Sequence, residues 1–186
     1  MDDDLILKKD YIITYTKVQM SPLEPQSEDI LIEDIAHALS YMCRANGHIK
    51  SFFSVGQHCI NCSKEAKVRG YSKKIQLALL LHDASESYIS DIIRPVKQNL
   101  NKYLEIENIL QNAIYKTFGI ENLTEEEKEK IDEIDNVMLQ HEFINLADTK
   151  IFNEDIEIVG EYDFACRDFI DVEKEYLEIF KALTNE

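Results

Sequence analysis

The sequence has little glycine and proline, with 5 Gly and 3 Pro among 186 residues. Turn residues this scarce exclude a many-stranded β-sandwich, which needs turns at short intervals. Hydrophobic residues nevertheless make up 45% of the chain, which is too apolar a composition for a disordered protein. We therefore predict one mostly helical domain with a single hydrophobic core.

Basic residues and long apolar runs are also scarce. The chain has 20 Lys and Arg against 36 Asp and Glu, for a formal net charge of −16. Such a field repels a phosphodiester backbone, so no nucleic-acid polymer is expected as a partner. The longest apolar run, Leu77–Leu81, is five residues long, whereas a membrane-spanning helix needs about 20. No membrane association is expected.

The start of the chain and its cysteines favour a cytoplasmic location. Residues 1–4 read Met-Asp-Asp-Asp, which is acidic where a secretory signal is basic. The four cysteines do not resemble a disulfide scaffold, and reduced thiols fit the cytoplasm.

Apolar residues recur at helical spacing along most of the chain. A β-branched, aromatic stretch at Tyr11–Val18 predicts a peripheral strand or hairpin before the first helix. The third predicted helix is apolar nearly all round and should be the central, most buried one. Residues 91–94 are predicted as a loop closed by Pro95, and residues 145–161 receive no assignment. The six predicted helices run from Ile32 to about residues 44–47, from Ser54 to Gly70, from Ser72 through His82 and Asp83 toward Tyr88, from Ile106 to Gly119, from Thr124 through Met138, and over residues 164–183.

Four ionisable residues next to predicted core faces form the chemical pattern of interest. His82 and Asp83 end the most apolar helix, His58 lies on the second helix, and Asp135 lies on the fifth. Burying such groups without partners is costly. Two imidazoles and two carboxylates form a coordination set suited to one divalent transition metal. The structural alternative is a hydrogen-bonded His–Asp pair that caps a helix end.

The order His58, then His82-Asp83, then Asp135 resembles the signature of the HD-domain metal-dependent phosphohydrolases. The surrounding segments Ser54–His58, Leu80–Glu86 and Arg94–Lys97 are similar to the 5′-deoxynucleotidase branch of that superfamily. The resemblance covers residues 32–142. It implies an all-α HD-domain helical bundle over residues 1–186, with an N-terminal extension (1–31), an HD core (32–142) and a C-terminal helical segment (143–186).

The resemblance also implies a function and roles for individual residues. The function is hydrolysis of the phosphate ester of small nucleotides, (deoxy)nucleoside 5′-monophosphates foremost, by water activated on one divalent cation (Mn, Co, Fe, Ni, Zn or Mg). The cation is held by His58, His82, Asp83 and Asp135. The position matching Glu86 activates water, and the position matching Asp91 assists proton transfer. A homodimer is expected on the resemblance alone.

Phosphate binding calls for cations, and three residues are candidates in this acidic chain. Arg44 matches an arginine that binds phosphate in the deoxynucleotidase branch, and a guanidinium can bind two phosphate oxygens at once. His48 and Lys97 are further candidates. The structural alternatives are an arginine that covers the end of the first helix and a solvated surface lysine.

Three other functions remain open from the sequence. Triphosphohydrolases of the HD type share the same metal ligands, and a non-catalytic HD module could bind a nucleotide and regulate a partner. Cys59 and Cys62 have the Cys-x-x-Cys spacing of zinc sites. A structural zinc site needs a second pair, and both cysteines share an apolar stripe, so small buried hydrophobic side chains are the favoured interpretation.

Overall fold

A computed structural model describes residues 7–153 and 157–185 of the chain. Within these residues the protein is all-α with a small N-terminal hairpin, which confirms the predicted fold class. The predicted boundaries at 1–31, 32–142 and 143–186 stay predictions, and residues 1–6, 154–156 and 186 lie outside the described residues. The strands are β1 (Ile12–Ile13) and β2 (Gln19–Met20), and the helices are α1 (Ile32–Tyr41), α2 (Val55–Val68), α3 (Lys73–Leu80), α4 (Glu86–Ile89), α5 (Arg94–Lys97), α6 (Asn101–Thr117), α7 (Glu125–Ala147) and α8 (Phe169–Thr184).

The hairpin is fixed to the helical body at its turn. β1 and β2 are antiparallel, with Ile12 opposite the fully buried Met20. The backbone N–H and the hydroxyl of Thr16 donate to the two carboxylate oxygens of Asp34 on α1, at 2.7 and 2.8 Å. The predicted peripheral hairpin is thus confirmed.

The central helix is α2, which carries His58. It packs against α1, α3, α7 and α8, and every residue from Val55 to Ser63 is buried. The expectation that the third helix would be the most buried is wrong, because the first turn of α3 reaches the surface at Lys73. A helix with neighbours on every side can bury even polar ligand-type side chains at its middle.

The N-terminus of α2 is held in two ways. It begins with the predicted capping box, in which Ser54 and Gln57 each bond the other's backbone N–H. Gly56 permits close approach of α1 and α8, because a Cβ at this position would meet atoms of Ser40 and Val172 at 3.2 Å.

The third predicted helix ends earlier than expected. The prediction that it continues through His82 and Asp83 toward Tyr88 is wrong, because α3 ends at Leu80 and Glu86 opens the separate helix α4. His82 and Asp83 therefore lie in the turn between these helices.

Side chains from two other helices explain this break. Tyr176 on α8 donates its hydroxyl to the Leu80 carbonyl at 2.5 Å. On α6, the amide of Gln111 donates to the Leu81 carbonyl at 2.7 Å and accepts from the Ser85 N–H at 3.1 Å. These bonds occupy backbone groups that would otherwise extend the helix, and they bracket the turn on both sides.

Other helix boundaries also differ from the predictions. Residues 94–97 form α5 rather than ending a loop, since Pro95 in a first turn forgoes no helical hydrogen bond. The last helix begins at Phe169 behind an Asp168 cap, after the predicted start at 164. In the first predicted helix the regular turns end at Tyr41, and residues 44–47 form a tight turn with left-handed Ala45 and Asn46. Among the described residues, no helix combines the length and apolar character needed to cross a bilayer.

Candidate metal centre and adjoining cavity

The four predicted ligand residues converge on one point. The Nε2 atoms of His58 and His82 lie 3.1 Å apart. His58 Nε2 lies 3.2 Å from an Asp135 oxygen and 3.7 Å from an Asp83 oxygen. The same carboxylate oxygens lie 3.7 and 3.5 Å from His82 Nε2. Ligands held about 2.0–2.2 Å from one ion lie about 2.8–3.6 Å apart at adjacent positions of octahedral or tetrahedral geometry. The spacing and the N and O donors therefore fit a single divalent cation.

Hydrogen bonds at Nδ1, on the side away from the cluster, orient both imidazole rings. The Nδ1 atom of His58 lies 2.6 Å from an oxygen of Glu142 on α7, and that of His82 lies 2.7 Å from the Leu79 carbonyl. Because each Nδ1–H has an acceptor, each Nε2 lone pair faces the cluster. This arrangement, with a carboxylate or a carbonyl behind a ligating histidine, is typical of metal sites.

The pKa values show that the cluster attracts positive charge. Burial by itself would lower the pKa of His82, but Asp83 and the other acidic groups outweigh it and raise that pKa well above its usual value. Burial would raise the pKa of Asp135, but hydrogen bonds to His58 and His82 hold it well below its usual range. The same field favours a cation at this point.

Two thiols also lie near the histidines. The Sγ atom of Cys62 is 3.6 Å from His58 Nε2. The Sγ atom of Cys59 lies within 4.8 Å of ligand atoms of both His82 and Asp83. Both thiols are fully buried, and burial raises the pKa of Cys59, which favours the neutral thiol over the thiolate that binds zinc. Among the described residues, Cys43 and Cys166 do not supply the second cysteine pair that a structural zinc site would need.

A cavity of about 760 Å³ opens beside the cluster. Asp83 and Asp135 belong to its wall, and so do four of the five predicted catalytic and phosphate-binding residues. The predicted site residues that line it are Arg44, Asp83, Glu86, Asp91, Lys97 and Asp135.

The two predicted acid–base residues are both in this cavity. Glu86 is almost fully buried, and its Oε2 atom finds no hydrogen-bond partner among the described residues. Burial, together with the charges of Asp83 and Asp91, raises the pKa of Glu86 well above its usual value. Burial also raises the pKa of Asp91. A carboxyl group with a raised pKa and a free oxygen in a cavity is suited to proton transfer near neutral pH.

The predicted helix from Ser72 toward Tyr88 would place Glu86 on the same face as His82 and Asp83, but the helix breaks between them. The turn, and not helical periodicity, brings the Glu86 carboxylate to the same cavity as Asp83.

The three predicted phosphate-binding residues have different surroundings. Arg44 is largely buried and donates to Asp83 at 3.2 Å and to Glu142 at 3.3 Å. Lys97 contacts Glu107 and lies 3.6 Å from Glu86 Oε1. His48 is exposed and is not among the described residues that line the cavity, because the left-handed turn after Arg44 carries it away.

Two functional candidates were missed by the sequence analysis. Glu142 orients His58 and contacts Arg44. Its spacing of seven residues after Asp135 on one helix could have indicated it, because positions two turns apart share a face. Arg94 donates to Asp135 at 2.7 Å and lines the cavity. No sequence signal pairs this arginine with a residue 41 positions away.

Comparison with known proteins gives partial matches. No family model matches the chain. Uncharacterized protein YfdR of Escherichia coli (strain K12) is 37% identical over 93 residues, which are 50% of this chain and 49% of that protein. Uncharacterized protein RCAP_rcc00048 of Rhodobacter capsulatus is 38% identical over 104 residues, which are 53% of each chain. The chain thus spans about half the length of the curated relatives it matches, and their names state no activity.

Proposed function

We propose that the protein is a metal-dependent phosphohydrolase of the HD type that acts on small nucleotides, with nucleoside 5′-monophosphates as the foremost substrates. The observation that carries the proposal is the convergence of His58, His82, Asp83 and Asp135 at a cavity that also holds cationic side chains and a partly unpaired carboxyl group. The cytoplasmic location and the homodimer belong to the same proposal.

The residues of the cavity divide the reaction among them. His58, His82, Asp83 and Asp135 would hold one divalent cation, which when bound neutralises phosphate charge and lowers the pKa of water. Arg44 faces this point through its contact with Asp83, and its guanidinium would bind a phosphate oxygen.

Glu86 and Asp91 would move the protons. Glu86 Oε2 has no hydrogen-bond partner in the described parts of the chain, so it can accept a proton from the attacking water. Asp91, whose pKa burial also raises, can return a proton to the leaving oxygen. Lys97 lies beside Glu86 and would hold that carboxylate in place.

The first experiment measures phosphate release from ribo- and deoxynucleoside mono-, di- and triphosphates with Mn, Co, Fe, Ni, Zn and Mg. Release of orthophosphate from monophosphates supports the proposal. Release of tripolyphosphate from triphosphates would instead identify a triphosphohydrolase. Nucleotide binding without any turnover would identify a regulatory module.

Asp135→Ala tests whether the cluster binds the metal. We expect the variant to stay folded and helical, to lose bound metal, and to lose activity by about 10²-fold or more, because one ligand is removed from a preformed site. Asp171→Ala, which removes an exposed carboxylate at the start of α8, is the matched control. Full metal occupancy in Asp135→Ala would refute the ligand assignment. Retention of zinc by His58→Ala through Cys59 and Cys62 would support the thiolate site instead.

A further inference from the structure

The side of α7 that faces the cavity changes from polar to apolar along its length. Asp135, Leu139 and Phe143 all line the cavity, and their spacing of four residues places them on one helical face. At the helical rise, Leu139 and Phe143 lie about 6 and 12 Å along the axis beyond Asp135. The apolar residues thus begin one turn past the metal cluster.

A second apolar element joins this face from the segment after α7. Ile151 and Phe152 line the same cavity, and Ile151 is 38% exposed. Both belong to irregular chain, so neither a helix nor a sheet holds them there.

The side chain of Gln140 fixes this segment. Its Oε1 atom accepts from the backbone N–H groups of Ile151 and Phe152 at 3.0 and 2.9 Å, and its Nε2 donates to the Phe152 carbonyl at 3.2 Å. Gln140 itself is buried. One buried amide thereby bonds three backbone groups of two residues whose side chains line the cavity, which is a specific arrangement for a loop.

The cavity is large enough for an occupant larger than a phosphate group. Its volume of about 760 Å³ lies within the range that encloses a whole small-molecule ligand. Charged and apolar side chains both contribute to the lining, and on α7 the apolar residues begin one turn beyond Asp135. A ligand matching both parts has an anionic end and a flat apolar end.

We propose that Leu139, Phe143, Ile151 and Phe152 form an apolar wall that binds the nucleobase of the substrate, and that Gln140 is its positioning residue. The proposal rests on the proposed function, because the metal centre defines where the phosphate lies. A base stacks on aromatic and aliphatic carbon through its π-face, and removing one such contact reduces affinity by about 5- to 100-fold.

The test uses two phosphate esters that differ by the base: deoxyadenosine 5′-monophosphate and 2-deoxyribose 5-phosphate. The measured quantity is the ratio of their kcat/KM values. We expect the ratio to fall by about tenfold in Phe152→Ala and in Phe143→Ala, through a higher KM for the nucleotide. Phe169→Ala is the matched control, because Phe169 is a 40% exposed phenylalanine that packs on Tyr41 outside the cavity. It should leave the ratio unchanged.

Gln140→Leu keeps the side-chain bulk and removes the bonds to the segment. We expect it to lower the ratio as the Phe152 variant does, whereas a purely structural role would lower thermal stability and leave the ratio of the folded enzyme intact. An unchanged ratio in both phenylalanine variants would overturn the wall and leave the phosphohydrolase proposal standing.

Failure of the proposed function gives a different result. If the wild-type protein hydrolyses neither ester with any metal, calorimetry of the Mn-loaded protein with the same two compounds decides. Tighter binding of the nucleotide than of the sugar phosphate, reduced in Phe152→Ala, would support the wall. Equal affinity for the two compounds, or no binding of either, would overturn it.

Discussion

Two buried carboxylates in this protein differ in how completely they are hydrogen-bonded. The first is Glu65, on α2 two turns beyond His58, whose side chain is fully enclosed. One of its oxygens accepts from Val159 N–H at 2.9 Å and from Arg69 Nε at 2.7 Å. The other accepts from Gly160 N–H at 3.0 Å and from the Tyr162 hydroxyl at 2.7 Å.

The second is Glu86, which is almost as deeply buried. Its Oε1 atom lies 3.6 Å from Lys97 Nζ, and its Oε2 atom has no hydrogen-bond partner among the described residues. The consequence appears in the pKa values. Burial would raise the pKa of Glu65, but its four hydrogen bonds lower it, whereas burial and nearby negative charge raise the pKa of Glu86.

The difference distinguishes a buried carboxylate that stabilises the fold from one that is available to act in a site. A carboxylate with four donors holds the chain segment that supplies them, and in Glu65 that segment is 159–162. A buried carboxyl group with an unpaired oxygen costs free energy and is retained where it acts on a ligand or on water. Comparing variants at these two positions therefore tests the candidate site directly.

The largest effect is expected for Glu86→Gln. The amide keeps the shape of the side chain and cannot take a proton, so kcat should fall by about 10²-fold or more, while metal and nucleotide still bind. Stability should be unchanged or higher, because a poorly paired buried charge is removed. Glu65→Gln is the matched control, with kcat per folded molecule close to wild type. Equal losses of kcat in the two variants would show that Glu86 has no special role, and Asp91 would become the candidate proton acceptor.

Glu142 is an intermediate case, a buried carboxylate that has one partner on each oxygen, Arg44 on one and the candidate metal ligand His58 on the other. Glu142→Gln should weaken metal binding by about 10- to 100-fold, because the group behind His58 sets the ring's orientation and basicity. The dissociation constant is measured by competition with a chelator. The control is Glu173→Gln. Glu173 forms a second His–Glu pair, in which its carboxylate oxygen lies 3.0 Å from His37 Nδ1, and this pair is outside the cavity. A dissociation constant unchanged in Glu142→Gln would show that Glu142 is only a packing residue.

Arg44 pairs with the carboxylates of Asp83 and Glu142. The shape of its side chain can be tested separately from its charge. Arg44→Lys keeps the charge and loses the planar guanidinium, so kcat/KM should fall by about tenfold with little change in metal affinity. Arg69→Lys, at an arginine paired with Glu65 and Glu133, is the control. If Arg44→Lys only melted at a lower temperature, with activity per folded molecule intact, Arg44 would be a packing residue. Phosphate binding would then fall to Lys97 and Arg94.

Patterns within one helix were predictable from the sequence. The capping boxes at Ser54 and Thr124 are present, and the helices that carry His58 and Asp135 occur where periodicity indicated them. These features depend on residues three or four positions apart, which a sequence displays directly. The order of the four ligand-type residues can also be read directly from the sequence.

Features that depend on distant residues were not predictable. The break after Leu80 requires Tyr176 and Gln111, which are 96 and 30 positions from their carbonyl partners. The left-handed turn that turns His48 away from the cavity contains alanine, a residue that gives no sign of positive φ. Propensity favours a continuous helix through His82, and tertiary hydrogen bonds override it.

The smallest effect concerns the stability of the Glu65 anchor as a function of pH. Glu65→Gln places an amide N–H₂ among four donors, so at pH 7 the variant should be less stable by about 2 kcal/mol. Because folding lowers the pKa of Glu65, its contribution is fully present above the pKa of an unfolded glutamate, about 4.3, and is lost as the pH falls through the lower folded value. The difference in unfolding free energy between wild type and Glu65→Gln should therefore be constant from pH 7 to about 5 and shrink as the pH falls below about 4. Urea titrations at each pH measure it, and taking the difference cancels the general effect of acid on a chain of net charge −16. A difference that stayed constant at low pH would show that the four bonds do not stabilise the ionised form of Glu65. The contrast with Glu86 would then reflect packing and not charge.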